Sequence, residues 1–330
     1  MRAKPRVAVV GFGAIGRHHA RNLAEMPGIA FTGVVDVSEY ARDEAARMGY
    51  RVFDSIDSAL ALGLDSAVVS VPTSSHFETA SQLADAHVAL LVEKPIASTL
   101  EEGRAIIAAC RRSGVPLMVG YVERFNPAII TAHRLLLDGL VGTPLHVATR
   151  RVGTMPPRIK DANVIVDIGV HDIDIVSFLL DSKLRLISAQ GGMALIDDRV
   201  DYASLALDAG GVAAHATVNW LTPVKVRDLT ITGSKGYLQI DYLSQTAFFA
   251  PGRDFVPTSS YEVLIAQYEQ GTLLECPVVK REPLRVQLER FVEVLGGAEA
   301  PNPEIALESL RIALEATEMI ESNIRVNAHR

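Results

Sequence analysis

The first third of the chain alternates short apolar runs with longer mixed stretches. Residues 7–10, 31–35, 66–71, 88–92 and 116–120 are rich in valine and leucine, and none of these runs alternates apolar with polar positions. Continuous apolar runs of this length mark strands covered on both faces, as in a parallel sheet. The intervening stretches have helical length. Two of them begin with a capping-box signature, Ser75-His-Phe-Glu78 and Thr99-Leu-Glu-Glu102. Strand–helix repetition of this kind predicts a doubly wound α/β domain over residues 1–122.

Beyond residue 122 the pattern changes. Asn126-Pro127 reads as an N-cap followed by proline at the first helical position, and the helix should end near Gly139. Residues 145–152, 202–207, 212–220, 229–232 and 237–240 suit longer strands. Gly210-Gly211 and residues 233–236 stand between pairs of them as hairpin turns. Residues 284–295 and 304–322 read as amphipathic helices, and residues 251–280 carry no assignable signal. The expectation is an α+β domain with antiparallel pairing over residues 123–330.

The chain has 330 residues, enough for about two domains with large cores. Gly 24 and Pro 16 are ordinary shares, which excludes collagen-like and Pro/Gly-rich disordered classes. Cys110 and Cys276 cannot form a disulfide framework and read as small buried hydrophobes. A net charge of −7 argues against nucleic acid or an anionic membrane as partner. No apolar run approaches the ~18 residues of a membrane helix. Residues 1–16 weakly mimic a secretion signal. Three glycines interrupt the apolar run, however, and Arg17, His18, His19 and Arg21 follow where a cleavage site belongs. A soluble cytoplasmic protein is expected.

Gly11-Phe12-Gly13-Ala14-Ile15-Gly16 closes the first strand run and opens a helix. In a dinucleotide fingerprint the first glycine permits the tight turn, the second lets backbone approach a pyrophosphate, and the third allows close helix–strand packing. Asp36 ends the second strand run, where a carboxylate suits two ribose hydroxyls and repels a 2′-phosphate. Val37 and Ser38 follow in place of arginine, which favours NAD over NADP. Val71-Pro72-Thr73-Ser-Ser-His76 follows another strand at the ligand-binding end of such a sheet. Val71, Pro72, Thr73 and His76 could touch the cofactor, or Thr73 and Ser75 could cap the next helix and His76 could be structural.

Two further elements carry chemistry. Glu93-Lys94-Pro95 follows the strand 88–92, so Lys94 could bind a substrate oxygen and Glu93 the cofactor. Asp167, His171 and Asp174 recur at i, i+4 and i+7 and share one face of a helix, with Ile168, Ile175 and Leu179 elsewhere. A histidine with an acid one turn away suits general base catalysis, and a solvated polar face is the alternative. No second His or Cys lies close by, so no metal is expected.

Together these motifs resemble the glucose–fructose oxidoreductase / inositol dehydrogenase (Gfo/Idh/MocA) family across essentially the whole chain. The marks are the glycine loop with His19, residues 72–76, Glu93-Lys94-Pro95, and Asp167-Ile-Gly-Val-His171-Asp-Ile-Asp174. The resemblance implies a Rossmann domain and a C-terminal domain with an open, mostly antiparallel sheet that often joins copies into a homodimer or homotetramer. It also implies catalytic roles for Lys94, Asp167 and His171. One departure is Asp161-Ala-Asn-Val-Ile-Val before Asp167, where many members are glycine-rich, so that helix should begin differently here.

Gly120-Tyr-Val-Glu123-Arg124-Phe-Asn126-Pro127 resembles the sugar-nucleotide 3-dehydrogenases of the family. Arg150, Arg151, Arg158 and Lys160 lie in a Gly/Pro-containing stretch with no acid between them and could hold a diphosphate. The substrate-binding candidates are therefore Lys94, Arg124, Asn126, Arg150, Arg158, Asp167 and His171. The expected activity is NAD-dependent oxidation of a secondary hydroxyl of a nucleotide-linked sugar, such as C3 of UDP-N-acetylglucosamine. An inositol or free-sugar dehydrogenase, an NAD-dependent glycosidase and a non-catalytic NAD-binding regulator are the alternatives.

Overall fold

The structure is a computed structural model that describes residues 4–155, 162–252, 260 and 271–328. It divides into two compact units, Met1–Phe125 with Glu282–Arg311, and Asn126–Arg281 with Ile312–Arg330.

The first unit holds strands β1 (Arg6–Val10), β2 (Ala30–Val35), β3 (Val52–Phe53), β4 (Ser66–Val69), β5 (Ala89–Glu93) and β6 (Leu117–Gly120). They form one parallel sheet in the order β3-β2-β1-β4-β5-β6. The reversal of strand order between β1 and β4 is the switch point of a doubly wound sheet. The helices are α1 (Ala14–Ala24), α2 (Glu39–Arg47), α3 (Ile56–Leu60), α4 (His76–Asp85) and α5 (Leu100–Ser113). Val7, Val9, Val34, Val68 and Leu91 are sealed from solvent, as the unbroken apolar runs predict. At the start of α5 the capping box forms: the Thr99 hydroxyl accepts the Glu102 N–H at 3.2 Å, and Glu102 accepts the Thr99 N–H at 3.3 Å. The box expected at Ser75 does not form. Residues Thr73–Ser75 make a 3₁₀ turn that runs straight into α4, and the Ser75 side chain caps nothing.

The helix Pro283–Leu295 groups with the first unit, whereas the sequence reading gave residues 123–330 to one continuous domain. Its apolar face supplies Leu288 and Phe291 to the core that contains Val7, Leu23 and Met118. Glu282 accepts from Arg21 at 2.6 Å and from Asn22 at 2.9 Å. Amphipathic periodicity says that a helix is covered, not by what.

The second unit holds α6 (Pro127–Leu137), β7 (Pro144–Thr154), α7 (Val170–Leu180) and strands β8 (Leu184–Gly192), β9 (Tyr202–Ala209), β10 (Val212–Asn219), β11 (Leu221–Gly233), β12 (Gly236–Asp241), β13 (Thr246–Pro251) and β14 (Leu274–Cys276). Their order is β14-β13-β12-β11-β7-β10-β9-β8, antiparallel at every pair except β7 with β10. Gly210 and Gly211 turn the β9–β10 hairpin at φ +63° and +96°, where a side chain would be strained. In β9 the residues Ala203, Leu205, Leu207 and Ala209 are buried, and Tyr202 and Ser204 between them are exposed. One face of the sheet is thus covered, with α7 packed on β7, β9 and β10 and α6 on β12 and β13. Among the described residues no helix is long and apolar enough to cross a membrane.

Candidate active site

The glycine loop comes first. Gly11 sits at φ +95°, and a Cβ there would lie 2.7 Å from the backbone of Ser70 and Val71. A Cβ on Gly16 would stand 2.0 Å from the Gly11 carbonyl oxygen, so α1 can approach β1 only without one. The Ser70 hydroxyl donates to that same oxygen at 2.8 Å. Gly13 has open space where a Cβ would be, and it begins α1 with no side-chain cap and no acid in the first turn. Ala14 and Ile15 are exposed beside it. Uncapped N–H groups at the positive end of a helix, with backbone open above them, fit a dinucleotide pyrophosphate. Phe12 is a correction in part. Its ring is buried in the core, edge-on to Tyr50 at 6.1 Å, so only its main chain can face a ligand.

Asp36 is held by that main chain. One carboxylate oxygen accepts the Phe12 N–H at 2.7 Å and the other the Ser38 N–H at 2.8 Å. Lone pairs remain on both oxygens for a pair of hydroxyls.

The segments after β4 and β5 are tied together. His76 is buried, with Nδ1 3.0 Å from the Pro95 carbonyl and Nε2 3.0 Å from the Val71 carbonyl. Burial holds it below the ordinary histidine pKa, against the raising effect of those carbonyls. Its imidazole ties the two segments together through both ring nitrogens, in keeping with the structural reading. Val71 and Thr73 are half-buried and Pro72 is exposed on the segment it holds. Lys94 is half-buried and follows the buried Glu93. Glu93 Oε1 accepts from His19 Nε2 at 2.7 Å. Burial alone would raise the Glu93 carboxyl. The His19 bond, the His19 charge and the Lys94 charge outweigh it and hold the group below its ordinary range.

In the second unit the segment before α7 is a π turn, Ile165–Gly169. Asn163 starts it: its side-chain oxygen accepts the N–H groups of Ile165 at 2.9 Å and Val166 at 3.0 Å, and its amide donates to Thr317 at 3.0 Å. This cap is the physical form of the departure before Asp167. Asp167 lies in the π turn and His171 in the first turn of α7, and both are half-buried. A π turn is wider than an α turn, and such bulges cluster at functional positions. Asp174 does not join them on an accessible face, because it is fully buried.

The residue after His171 was missed. Asp172 accepts from Arg151 of β7, Nε to Oδ1 at 3.1 Å, and both side chains are 1% exposed. The Arg151 guanidinium also lies 5.0 Å from the centre of the Tyr242 ring. The expectation that Arg150 and Arg151 hold a diphosphate meets side chains that are already engaged. Arg150 and Arg151 belong to a strand, and Arg150 is paired through two nitrogens with Asp228 of β11. Arg158 and Lys160 lie outside the described residues. Asn126 is corrected too. It is buried, its oxygen caps α6 at Ala128, and its amide donates to the Tyr242 carbonyl at 3.1 Å. Arg124 is half-buried over the Tyr121 ring, 5.8 Å from its centre. Burial pushes the Cys110 thiol up to about 11, far from nucleophilic use.

Two family descriptions match the chain: an oxidoreductase family with an NAD-binding Rossmann fold over residues 5–121, and the Gfo/Idh/MocA C-terminal domain over residues 129–239. A UDP-N-acetylglucosamine 3-dehydrogenase from Acidithiobacillus ferrooxidans is 30% identical over 243 residues, 73% of this chain and 75% of that one. The chain belongs to the Gfo/Idh/MocA family. It is accordingly an oxidoreductase with an NAD-binding Rossmann unit. A solved structure of the same Acidithiobacillus enzyme superposes with a TM-score of 0.84 at 25% identity, covering 98% of this chain and 99% of that one. A scyllo-inositol 2-dehydrogenase from Bacillus subtilis is also 30% identical, over 58% of each chain.

Proposed function

We propose that this oxidoreductase uses NAD to oxidise a secondary hydroxyl of a nucleotide-linked sugar, with C3 of UDP-N-acetylglucosamine as the leading candidate. The observation that carries the reading is the 30% identity to an enzyme of that name across three-quarters of both chains. The first unit binds NAD, and the second carries substrate recognition. Bound NAD supplies the hydride acceptor. His171 takes the hydroxyl proton, Asp167 orients the imidazole and stabilises its charged form, and Lys94 hydrogen-bonds the oxygen as negative charge develops there. An inositol is the second reading, supported by the Bacillus subtilis relative. A panel of UDP-sugars, free sugars and inositols, followed by absorbance of the reduced cofactor, separates them. Reduction with UDP-N-acetylglucosamine supports the first reading, and reduction with inositols alone overturns it.

Asp36 favours NAD. A 2′-phosphate would meet a carboxylate that already fills the N–H groups of Phe12 and Ser38. Arg42, one turn into α2, donates through Nη1 to the carbonyls of Asp36 and Val37 at 2.9 Å each. Asp36→Ser exposes those donors beside a guanidinium. Calorimetry should show NADP affinity rising by about tenfold or more, the equivalent of about 1.4 kcal/mol, as NAD affinity falls. An unchanged preference would contradict the role given to Asp36.

The open face of the eight-stranded sheet is proposed to join copies of the chain. Its support is the alternation in β9 and β10, which leaves one face of each strand uncovered. Sedimentation should give a dimer or tetramer, and a monomer at micromolar concentration would refute this.

A further inference from the structure

We propose that His19 is a positioning residue for Lys94 and acts through Glu93. The proposal rests on the reading of Lys94 as the cation that hydrogen-bonds the substrate oxygen. Glu93 is a buried carboxylate at the end of β5, a placement tolerated only when both oxygens are served. Oε1 takes the His19 Nε2–H at 2.7 Å, and Oε2 takes the backbone N–H of Lys94 at 3.2 Å. The carboxylate thus links an imidazole on α1 to the main chain of Lys94. Gly120 on β6 makes room for it, since a Cβ there would stand 3.0 Å from Glu93 Cδ and Oε2. His19 has no solvent exposure, and among the described residues its Nδ1 has no hydrogen-bond partner. Its polar contact is spent on Glu93.

The titratable groups facing Glu93 are His19 from α1, Lys94 beside it and His76 from α4. With His19 gone, burial dominates and the carboxyl binds a proton more readily. The charge next to Lys94 then becomes more sensitive to pH than in the native protein, where His19 holds the carboxyl low. A merely structural histidine would not produce that signature.

The test is a double-mutant cycle on the NAD-bound enzyme, using whichever of UDP-N-acetylglucosamine and myo-inositol it oxidises. His19→Ala and Glu93→Gln should each lower kcat by about tenfold or more, with NAD affinity by calorimetry held within about threefold. The double variant should be no slower than Glu93→Gln alone, because the two residues act in series. The kcat–pH profile of His19→Ala should gain an ionisation that Glu93→Gln lacks. His19→Gln, whose amide can still donate to the carboxylate, should recover most of the rate. It also replaces His19→Ala in the cycle should that variant not fold. Multiplicative losses in the double variant, native kcat in His19→Ala, or loss of NAD affinity in step with kcat would each overturn the proposal. Native turnover by Lys94→Ala would instead sink the role given to Lys94 on the substrate oxygen.

Discussion

Replacing Lys94 or His171 by alanine should each reduce kcat by about 100-fold or more, the usual scale for general acid–base groups, with NAD still bound. Oxidising an alcohol requires the hydroxyl proton to leave as the hydride departs. An alkoxide without a partner is costly in a desolvated site, so a cation on the oxygen and a base on the proton both act in the transition state. Such losses appear in kcat more than in KM, because the ground-state hydroxyl demands neither group. Asp167→Asn should lie between, since it perturbs the imidazole without removing it. Steady-state kinetics with calorimetric NAD binding checks all three. Wild-type turnover by either alanine variant would remove the role assigned to that residue.

Asp172→Asn or Arg151→Met should destabilise the protein by about 3–5 kcal/mol, because each removes the buried counter-charge that the other faces. Both side chains are 1% exposed, so water cannot replace the lost partner. Removing both with Arg151→Met and Asp172→Leu should cost less than either alone, since a well-packed apolar pair avoids the desolvation penalty. Denaturant unfolding reads this directly. Losses that simply add in the double variant would mean that the pair is not coupled. Arg150, by contrast, pairs with Asp228 at an exposed position, and its loss should be nearly silent.

The parallel sheet was legible because strands buried on both faces leave unbroken apolar runs. The glycine loop was legible because Gly11 and Gly16 answer steric demands that no other residue meets. The two-residue β3 and the strands β8, β13 and β14 were not, and β11 showed only its apolar second half. Long-range pairing was hidden for a different reason. Asp228 lies 78 residues from Arg150, and Glu93 lies 74 from His19, so a stretch rich in arginine can look unbalanced although its carboxylates arrive from other strands and helices. Asn126 shows both sides of this. Its capping role was visible beside Pro127, and its bond to Tyr242, 116 residues away, was not. The π turn escaped because it is a shift of backbone hydrogen bonds with no residue type of its own. Asn163 before an apolar run was a readable cap.

UDP-N-acetylglucosamine carrying deuterium at C3 tests the central claim most directly. Incubated with the protein and NAD, it should yield reduced cofactor whose mass shows the deuterium transferred, with a ketone at C3 of the sugar. Unlabelled reduced cofactor, or deuterium released to water with no net reduction of NAD, would contradict the account.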